Sequence, residues 1–375
     1  MLKKILFVHH AGGMSGASRS LAFLINNLDR TKYTPIVWMM RGGETYQLLK
    51  ATGALIIVNK SKWLQPFDGT TVSGMSLELF LKNLIGLFPT YLAARKIIKK
   101  INPDVIHLST TCLFHFAFAA KRISKDIKVI SHIREPLLPN IFGKILLKAN
   151  SKYVDKFIAI CQNDARPFIE YGQDVKIVFN FVNLKDYNKD LNVRVRVRQK
   201  LELTDNFIMV SSFARVAPSN GILDLIQIAK LCRKNPNIIF FVFGYAGTTK
   251  YEREVREQSP DNVKLMPIVR NVAEYMNATD ILLSPFKTPH FSRAIVEASA
   301  IGIPTIASNV ASQNELLVDK LTGYLYDSNE DAAQKIMKLS YDKKIRIEMG
   351  INALQFAKDN FDSQKNSLET FKAYD

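Results

Sequence analysis

The stretch Ile281–Glu315 reads ILLSPFKTPHFSRAIVEASAIGIPTIASNVASQNE and shows the pattern strand, loop, helix, strand, loop. ILLSP is a short apolar run ending at a proline, which is typical of a buried parallel strand. A helix is predicted over Arg293–Ile301, with Ser292 as its N-cap and Gly302 as its stop. TIAS is predicted to be the next strand. The stretch therefore indicates a parallel α/β unit.

One carboxylate, Glu297, lies inside this otherwise apolar helix. Parallel α/β units bind ligands outside the carboxyl ends of their strands, where the next helix presents free N–H groups. Packing alone explains a charge near the start of that helix poorly. Glu297 is therefore the first candidate for a ligand contact.

The composition describes a globular protein with an unusual charge. A chain of 375 residues is longer than one core usually supports, so two domains are expected. The apolar content of 47% and charged content of 23% argue against a disordered or fibrous chain. The net charge of +17 favours a polyanionic partner, such as nucleic acid, an anionic membrane face or a phosphorylated ligand.

Compartment signals favour a cytoplasmic protein. Three widely spaced cysteines (Cys112, Cys161 and Cys232) form neither a disulfide framework nor a metal-binding pair. The apolar run Ile5–Val8 is too short for a signal peptide and is predicted to be the first strand. No stretch reaches the roughly 18–20 apolar residues that a spanning helix needs. A soluble or peripheral protein is expected.

Short apolar runs alternate with helix-like segments along the whole chain, which predicts parallel α/β architecture. The predicted strands are KILFVHH, TPIVWMM, ALIIVN, DVIHLS, KVISHI, KFIAIC and KIVFNFV, then FIMVSSF, IIFFVFG, VKLMP, ILLSP, PTIAS and GYLYD. A polar, basic segment at 183–203 interrupts the series. Its VRVRVR motif fits a strand, but we favour a linker followed by a helix. Two successive doubly wound sheets joined there are expected.

Three loops that follow strands carry features of ligand sites. The glycine-rich loop 11–18, which contains Gly16, precedes a helix predicted over Arg19–Leu28 and suits an anion, with a plain tight turn as the alternative. Its spacing is not GxGxxG, which argues against a dinucleotide. Arg215 precedes another helix start and suits a diphosphate, unless it is simply solvated. Gly244 ends a strand, which is a weak signal.

His132 lies at the end of a first-half strand and is followed by Arg134 and Glu135. Such a cluster at a strand end is typical of active sites, although a lone histidine is more often structural. We regard His132 and Glu135 as candidate catalytic residues. No role is assigned to the other first-half histidines, His9, His10, His107 and His115.

Several reaction classes lack their motifs. No two Asp residues are separated by a single residue, and no His, Cys or Asp group has zinc spacing, so no metal is expected. The phosphate-binding loop of ATPases and the nucleophile elbow of serine esterases are both absent from the sequence.

The segment 77–100, LELFLKNLIGLFPTYLAARKIIKK, is apolar with a basic end. Its basic residues suit anionic lipid, while its large apolar residues insert or pack: Lys82, Arg95, Lys96, Lys99 and Lys100, with Phe80, Leu81, Leu84, Ile85, Leu87 and Phe88. Core helices with a solvated basic face are the alternative. Nucleic-acid binding is less favoured, because the basic residues are dispersed and no binding module is evident.

The ordered stretches SSFARVAPSNGILDLI, FFVFGYAG, ATDILLSPF, HFSRAIVEASAIGIPTIASNVASQNELL and LTGYLYD, with PDVIH and SHIREP before them, resemble the retaining glycosyltransferases of family 4. This family has the GT-B fold of two facing Rossmann-like, doubly wound domains with an interdomain cleft. The resemblance implies an acceptor domain at 1–185 and a nucleotide-sugar donor domain at 186–355. A C-terminal helix at 356–375 is expected to pack back on the first domain.

The resemblance also implies roles for single residues. Glu297 would bind the donor ribose and Arg215 its diphosphate. His132 would lie at the reacting sugar, and Gly16 would line the cleft. The other implied donor contacts are Asn220, Gly244, His290, Phe291, Ser292 and Arg293. The donor would be UDP- or GDP-linked, with no cofactor or metal.

Three positions depart from the family pattern. Pro289 replaces a glutamate that contacts the donor sugar, and Asn220 replaces a phosphate-binding lysine. Ala311-Ser312 replaces a glycine pair. His290 is a candidate substitute at the sugar.

These features predict a cytoplasmic glycosyltransferase, peripheral to the membrane, that extends a surface glycan or lipid-linked saccharide with retention. A non-catalytic relative that binds nucleotide sugar or glycan as a partner subunit is the alternative. A nucleic-acid-binding protein is a weaker one, motivated by charge alone.

Overall fold

The computed structural model describes residues 2–70 and 76–375, which form two compact units. Unit 1 consists of Met1–Asn180 with Ser363–Asp375, and unit 2 of Phe181–Asp362. The sequence places these boundaries at 185/186 and 355/356 instead. A helix over Lys343–Asn360 runs unbroken through the second of these points, so the chain returns to unit 1 only after that helix ends.

Unit 1 is a parallel sheet of seven strands covered by helices. Its strands are β1 (Lys3–His9), β2 (Tyr33–Met39), β3 (Leu55–Val58), β4 (Val105–Leu108), β5 (Lys128–Ile133), β6 (Lys156–Ala159) and β7 (Val175–Ile177). Its helices are α1 (Gly16–Asn26), α2 (Glu44–Lys50), α3 (Leu77–Ile101), α4 (Phe114–Ile123), α5 (Ile141–Tyr153) and α6 (Gln162–Glu170). The strand order β3-β2-β1-β4-β5-β6-β7 reverses direction between β1 and β4.

Unit 2 repeats this plan with six parallel strands. They are β8 (Ile208–Phe213), β9 (Ile238–Phe243), β10 (Val263–Met266), β11 (Ile281–Ser284), β12 (Thr305–Ser308) and β13 (Gly323–Tyr326). The helices are α7 (Leu191–Lys200), α8 (Ile222–Leu231), α9 (Lys250–Gln258), α10 (Val272–Ala278), α11 (Arg293–Ile301), α12 (Asn329–Tyr341) and α13 (Lys343–Asn360). The order β10-β9-β8-β11-β12-β13 reverses between β8 and β11.

The last helix, α14 (Ser363–Phe371), packs on unit 1. The Asn27 side chain donates hydrogen bonds of 3.0 Å to the Ser363 carbonyl and the Ser367 hydroxyl. Tyr374, just beyond α14, is buried against Phe7 and Tyr33. The chain's end thus completes one face of the unit 1 core.

All thirteen strands predicted from the sequence are present, because strands buried on both faces leave continuous apolar runs. The last strand of unit 1 is shorter than KIVFNFV. Val178 still donates to the Ala159 carbonyl at 2.9 Å, but from Asn180 the chain leaves the sheet. VRVRVR lies in α7, as favoured. The first helix begins at Gly16 rather than Arg19, because the Ser15 hydroxyl caps it by accepting from the Ser18 N–H at 3.2 Å.

The 25-residue helix α3 passes the length and hydropathy test for a membrane span, with a mean hydropathy of 1.2 over its best 18-residue window. The expectation that no segment is long and apolar enough to span a membrane is wrong by this test of length and hydropathy. Polar residues such as Asn83 and Thr90 interrupt the apolar run, which hides it from a search for uninterrupted stretches.

Candidate functional site

In unit 2 the reversal of strand order lies between β8 and β11, and open α/β sheets bind ligands at such points. The loop 214–221 follows β8, and the loop 285–292 follows β11. Backbone contact joins them, since the Lys287 N–H donates to the Ser219 carbonyl at 3.0 Å. A β-carbon on Gly221 would lie 1.7 Å from the Pro285 carbonyl oxygen, so this approach requires glycine.

Arg215 is exposed in the first of these loops. The Asn220 side chain donates to the Arg215 carbonyl at 2.7 Å, which closes the loop on itself. Asn220 therefore holds the backbone that carries Arg215. This structural role is separate from the contact with the sugar donor that the sequence predicts for Asn220. Gly244, with φ of 117°, lies against the same loop, because a β-carbon there would be 2.3 Å from the Ala214 oxygen.

Helix α11 carries Glu297, which is only 5% exposed. Its carboxylate pairs with Arg293 one turn earlier, with 3.4 Å between Nε and Oε1. Glu297, which stands out in the sequence as a single carboxylate, thus forms an ion pair with Arg293 at the start of the helix. Gly302 ends α11 in the left-handed conformation, as predicted.

Ser292 occupies the N-cap position of α11 but makes no side-chain capping bond. Its hydroxyl lies 3.4 Å from the Ser284 hydroxyl instead, at the end of β11. The N-cap position predicted for Ser292 is confirmed, but its side chain does not cap the helix. A helix start whose N-cap side chain makes no capping bond suits an anion.

A buried polar network that the sequence did not reveal supports the second loop. Gln313, fully buried, donates to the Ser308 hydroxyl at 2.7 Å and accepts from the Ser284 hydroxyl. Ser308 donates to the Phe286 carbonyl at 2.6 Å. A serine at the end of two adjacent strands, ILLS and TIAS, was the available signal. This network fixes the loop 285–292 to the carboxyl edge of the sheet.

Ser312 occupies one of the positions where the family pattern has glycine. Its φ of 69° is in the left-handed region that glycine adopts without penalty. The backbone of this turn therefore keeps a glycine-like conformation with a serine side chain.

His290 and Phe291 follow Pro289 in the same loop. The His290 ring stacks on Phe286 at 4.9 Å while keeping a solvent-exposed edge. Desolvation by the protein atoms around it, and then the charge of Arg215, lower the pKa of His290. His290 is therefore neutral at pH 7 and lies near Arg215, whereas Phe291 is buried.

In unit 1, His132 near the end of β5 belongs to a buried chain of three side chains. Its Nδ1 lies 2.8 Å from Nε2 of His107, and Nδ1 of His107 lies 2.7 Å from the Tyr374 hydroxyl. Burial lowers the pKa of His107 to about 3 and that of His132 well below its usual value, so both rings are neutral at pH 7. The assignment of no role to His107 missed this contact, because Tyr374 is remote in sequence.

The donors around His132 indicate its tautomer. Arg134 has no acceptor, and its Nη2 lies 3.4 Å from Nδ1 of His132. Nδ1 therefore accepts, so His107 donates from Nε2 and receives the Tyr374 proton at Nδ1. His132 then carries its own proton on Nε2, which makes no hydrogen bond to the described residues. In this state His132 offers a hydrogen-bond donor.

Glu135 lies in the loop after β5, beside Thr70, whose hydroxyl donates to Asp68 at 3.0 Å. Burial raises the pKa of Glu135, and the charge of Asp68 adds to this. The structure thus places Glu135 beside Thr70 and Asp68, and His132 in the chain with His107.

Gly16 is the first residue of α1 in unit 1, whereas the other predicted donor contacts lie in unit 2. Near Gly16, the Ser18 hydroxyl lies 3.2 Å from Nε2 of His9. His9 Nδ1 lies 3.2 Å from the Ser109 hydroxyl, which links the ends of β1 and β4. The sequence analysis assigns no role to His9. The structure shows that His9 lies where the strand order of unit 1 reverses, between β1 and β4.

Within residues 2–70 and 76–375, no group of three or more His, Cys, Asp or Glu side chains is placed to hold a metal ion. The polar groups at the two sheet edges include hydroxyls, amides, arginines and neutral imidazoles beside the separate carboxylates of Glu297 and Glu135. All of these except the carboxylates can donate hydrogen bonds to phosphates and sugar hydroxyls.

Two family models match consecutive parts of the chain. Residues 14–186 match "Glycosyltransferase Family 4", and residues 193–356 match "Glycosyl transferases group 1". The chain belongs to the GT-B glycosyltransferases. The fold expectation from the sequence is confirmed.

Known proteins similar to this glycosyltransferase include two bacterial relatives. An uncharacterized 41.2 kDa protein from the cps region of Klebsiella pneumoniae is 26% identical over 78% of this chain and 85% of its own. The capsular polysaccharide biosynthesis glycosyltransferase CapM of Staphylococcus aureus is 28% identical over 49% of this chain and 50% of its own.

Among solved structures, Anabaena Alr3699/HepE in complex with UDP and glucose has a TM-score of 0.80. It is 20% identical, and the match covers 99% of this chain and 98% of that one. At this identity the likeness establishes the shared fold.

Proposed function

We propose that this glycosyltransferase transfers a hexose from a UDP- or GDP-linked donor to a glycan or lipid-linked saccharide, with retention and without a metal ion, in surface polysaccharide synthesis. The observation that carries the proposal is the meeting of the Arg215 loop with the loop before α11 at the switch point of unit 2. The UDP and glucose bound by the Anabaena protein and the capsular role of the Staphylococcus relative support it.

The groups at this edge of unit 2, and His132 of unit 1, each have a proposed task. Glu297 accepts the ribose hydroxyls, and Arg293 keeps that carboxylate oriented. Arg215 and the uncapped start of α11 bind the diphosphate and stabilise it as it leaves. His132, as a neutral donor from Nε2, binds a hydroxyl of the transferred sugar.

The Glu297→Gln variant tests the donor site. Loss of a charge-assisted hydrogen bond contributing about 1.5–3 kcal/mol should raise the donor Kd about 10- to 100-fold. Titration calorimetry with UDP- and GDP-sugars measures this change, and release of UDP or GDP measures turnover. Glu254→Gln, an exposed carboxylate on α9, is the matched control and should leave both unchanged.

Two results would contradict parts of this proposal. Loss of turnover in EDTA, restored by a divalent ion, would exclude metal-independent transfer. Tight donor binding with no turnover on any membrane or glycan extract would favour the non-catalytic partner subunit. The features that motivate this alternative are Pro289 in place of a glutamate and Asn220 in place of a lysine.

We also propose that the protein acts in the cytoplasm at the inner face of the cell membrane. The net charge of +17 and the apolar, basic helix α3 support this location. Recovery of the untagged protein with washed membranes, released by salt, is the expected fractionation result.

A further inference from the structure

The first half of α3 buries its polar side and exposes its apolar side. Asn83 and Thr90 are buried because both bind the backbone of the segment 65–68. The Asn83 amide donates to the Asp68 carbonyl at 2.7 Å and accepts from its N–H at 3.0 Å. The Thr90 hydroxyl donates to the Gln65 carbonyl at 3.0 Å and accepts from the Gln65 N–H at 3.1 Å. Gly86 lies between them against Gln65.

This anchoring turns a stripe of large apolar side chains towards solvent. Their spacing follows the helical repeat, so they lie on one side. We call this set the apolar face of α3: Leu77, Leu81, Leu84, Ile85, Phe88 and Leu92, between 45% and 74% exposed. The idea that these residues pack in a core is therefore wrong for this half of the helix.

The neighbouring helix α5 extends the apolar face. The rings of Phe80 and Phe142 meet edge to face at 5.5 Å, which brings the first turns of α3 and α5 together. Ile141 and Ile145 of α5 are also exposed, and Lys144 and Lys148 are exposed between and beside them. Apolar side chains bordered by lysines are typical of surfaces that enter the headgroup region of an anionic bilayer.

We propose that the apolar face of α3, with Ile141 and Ile145, inserts into one leaflet of an anionic membrane while α3 lies parallel to it. The proposal specifies a contact surface for the membrane location proposed for this glycosyltransferase. A surface that binds lipid near unit 1 would hold the enzyme where a lipid-linked acceptor is found.

Two other occupants fit the structure less well. If α3 spanned the bilayer, it would withdraw Ala94 and Ile98 from the unit 1 core and break the Asn83 and Thr90 hydrogen bonds. A second copy seated on the same surface with two-fold symmetry would bring lysines against lysines. An anionic lipid leaflet can bury the apolar side chains among its acyl chains and pair its headgroups with the lysines.

The test compares three variants for binding to vesicles of phosphatidylcholine with or without phosphatidylglycerol. Leu84→Ser/Phe88→Ser should weaken co-sedimentation with the anionic vesicles about tenfold or more, because two apolar side chains no longer insert. Lys144→Gln/Lys148→Gln should remove the preference for phosphatidylglycerol. Leu231→Ser/Ile268→Ser, on exposed apolar residues of unit 2, is the matched control and should bind like the wild type.

Each outcome decides the proposal. Unchanged vesicle binding of Leu84→Ser/Phe88→Ser would overturn it, as would a wild-type dimer in ultracentrifugation that this variant abolishes. Protease-protected segments on the far side of sealed vesicles would indicate a spanning helix and also overturn it. Donor hydrolysis in solution, measured on the same variants, should be unchanged, which separates failure of this surface from failure of the proposed reaction.

Discussion

At the scale of single residues, the Tyr374 hydroxyl orients the histidine chain at its His107 end, as Arg134 does at its His132 end. Burial raises the pKa of Tyr374 well above its usual value, so its proton stays available to His107. In Tyr374→Phe that proton is missing, and His107 is free to hold its own proton on Nδ1. We expect His132 to populate both tautomers and the free energy of unfolding to fall by about 1 kcal/mol.

Nitrogen-15 NMR of labelled histidine reads this change directly, because protonated and bare imidazole nitrogens differ widely in chemical shift. Tyr33→Phe is the control. Tyr33 packs on Tyr374 at 6.0 Å and donates to Asp375 at 2.8 Å, but it is not part of the histidine chain. Wild-type tautomers in Tyr374→Phe would show that Tyr374 has no orienting role.

Residue pairs close in sequence were more predictable than those assembled by the fold. Glu297 stands out in its helix, and its partner Arg293 is one turn away. Gln313 and Tyr374 gave no signal, because their partners come from other strands and become neighbours only when the sheets form. The sequence shows that Asn220 differs from the lysine of the family pattern. Its hydrogen bond to the Arg215 carbonyl could not be predicted, because that bond depends on the conformation of the loop.

At the scale of elements, Asp280 joins α7 to the start of β11. It accepts from Arg194 at 2.7 Å and from Arg198 at 3.1 Å, and it also accepts from the Met209 N–H. Arg198 is only 2% exposed. We expect Asp280→Asn to lower the free energy of unfolding by about 3–5 kcal/mol, because it leaves the buried Arg198 guanidinium with only a 4.0 Å contact to the exposed Asp205.

Urea unfolding measures this effect, and α7 supplies its own control. Arg196 and Glu274 form an exposed pair at 3.3 Å, so Glu274→Gln should change the free energy of unfolding by less than about 1 kcal/mol. Equal effects of the two variants would contradict the role given to Asp280. The three arginines of VRVRVR thus form ion pairs within unit 2.

Elements were predicted well where a single period dominated the sequence. Buried strands give apolar runs, and α11 has both a start and a stop signal. Helix α3 is harder to predict, because its first half buries polar residues and exposes apolar ones, the reverse of the usual pattern. Only the hydrogen bonds to the segment 65–68 show which side faces inward.

At the scale of the whole molecule, the histidines are distributed unequally. Five of the six lie in unit 1, and His290 is in unit 2. Burial lowers the pKa of every one in unit 1, to about 3 for His9 and His107 and about 4 for His115, with His10 and His132 shifted in the same direction. The native unit therefore binds fewer protons than its unfolded chain in mild acid.

The sign of the pH effect follows from these shifts. Above about pH 6.5 the histidines are neutral in both states and stability does not depend on them. Below it, each unfolded histidine gains a proton that the native unit resists, down to about pH 3 for His9 and His107 and about pH 4 for His115. Each histidine that stays neutral in the native unit lowers the stability of unit 1 by about 1.4 kcal/mol per pH unit. Glu135, whose pKa is raised by burial, opposes this with a single group.

Unit 1 should therefore unfold before unit 2 as the pH falls from about 6 to 4.5, since a total stability of about 5–15 kcal/mol is lost quickly at that slope. Both tryptophans, Trp38 and Trp63, lie in unit 1, so their fluorescence follows this unit alone, while far-UV circular dichroism follows both. His115→Leu removes a buried histidine whose two ring nitrogens have no partner among the described residues, and it should reduce the slope by about 1.4 kcal/mol per pH unit. His290→Leu is the control in unit 2 and should leave the fluorescence transition where it is. If fluorescence and circular dichroism change together at every pH, the uneven distribution of histidines does not control acid unfolding.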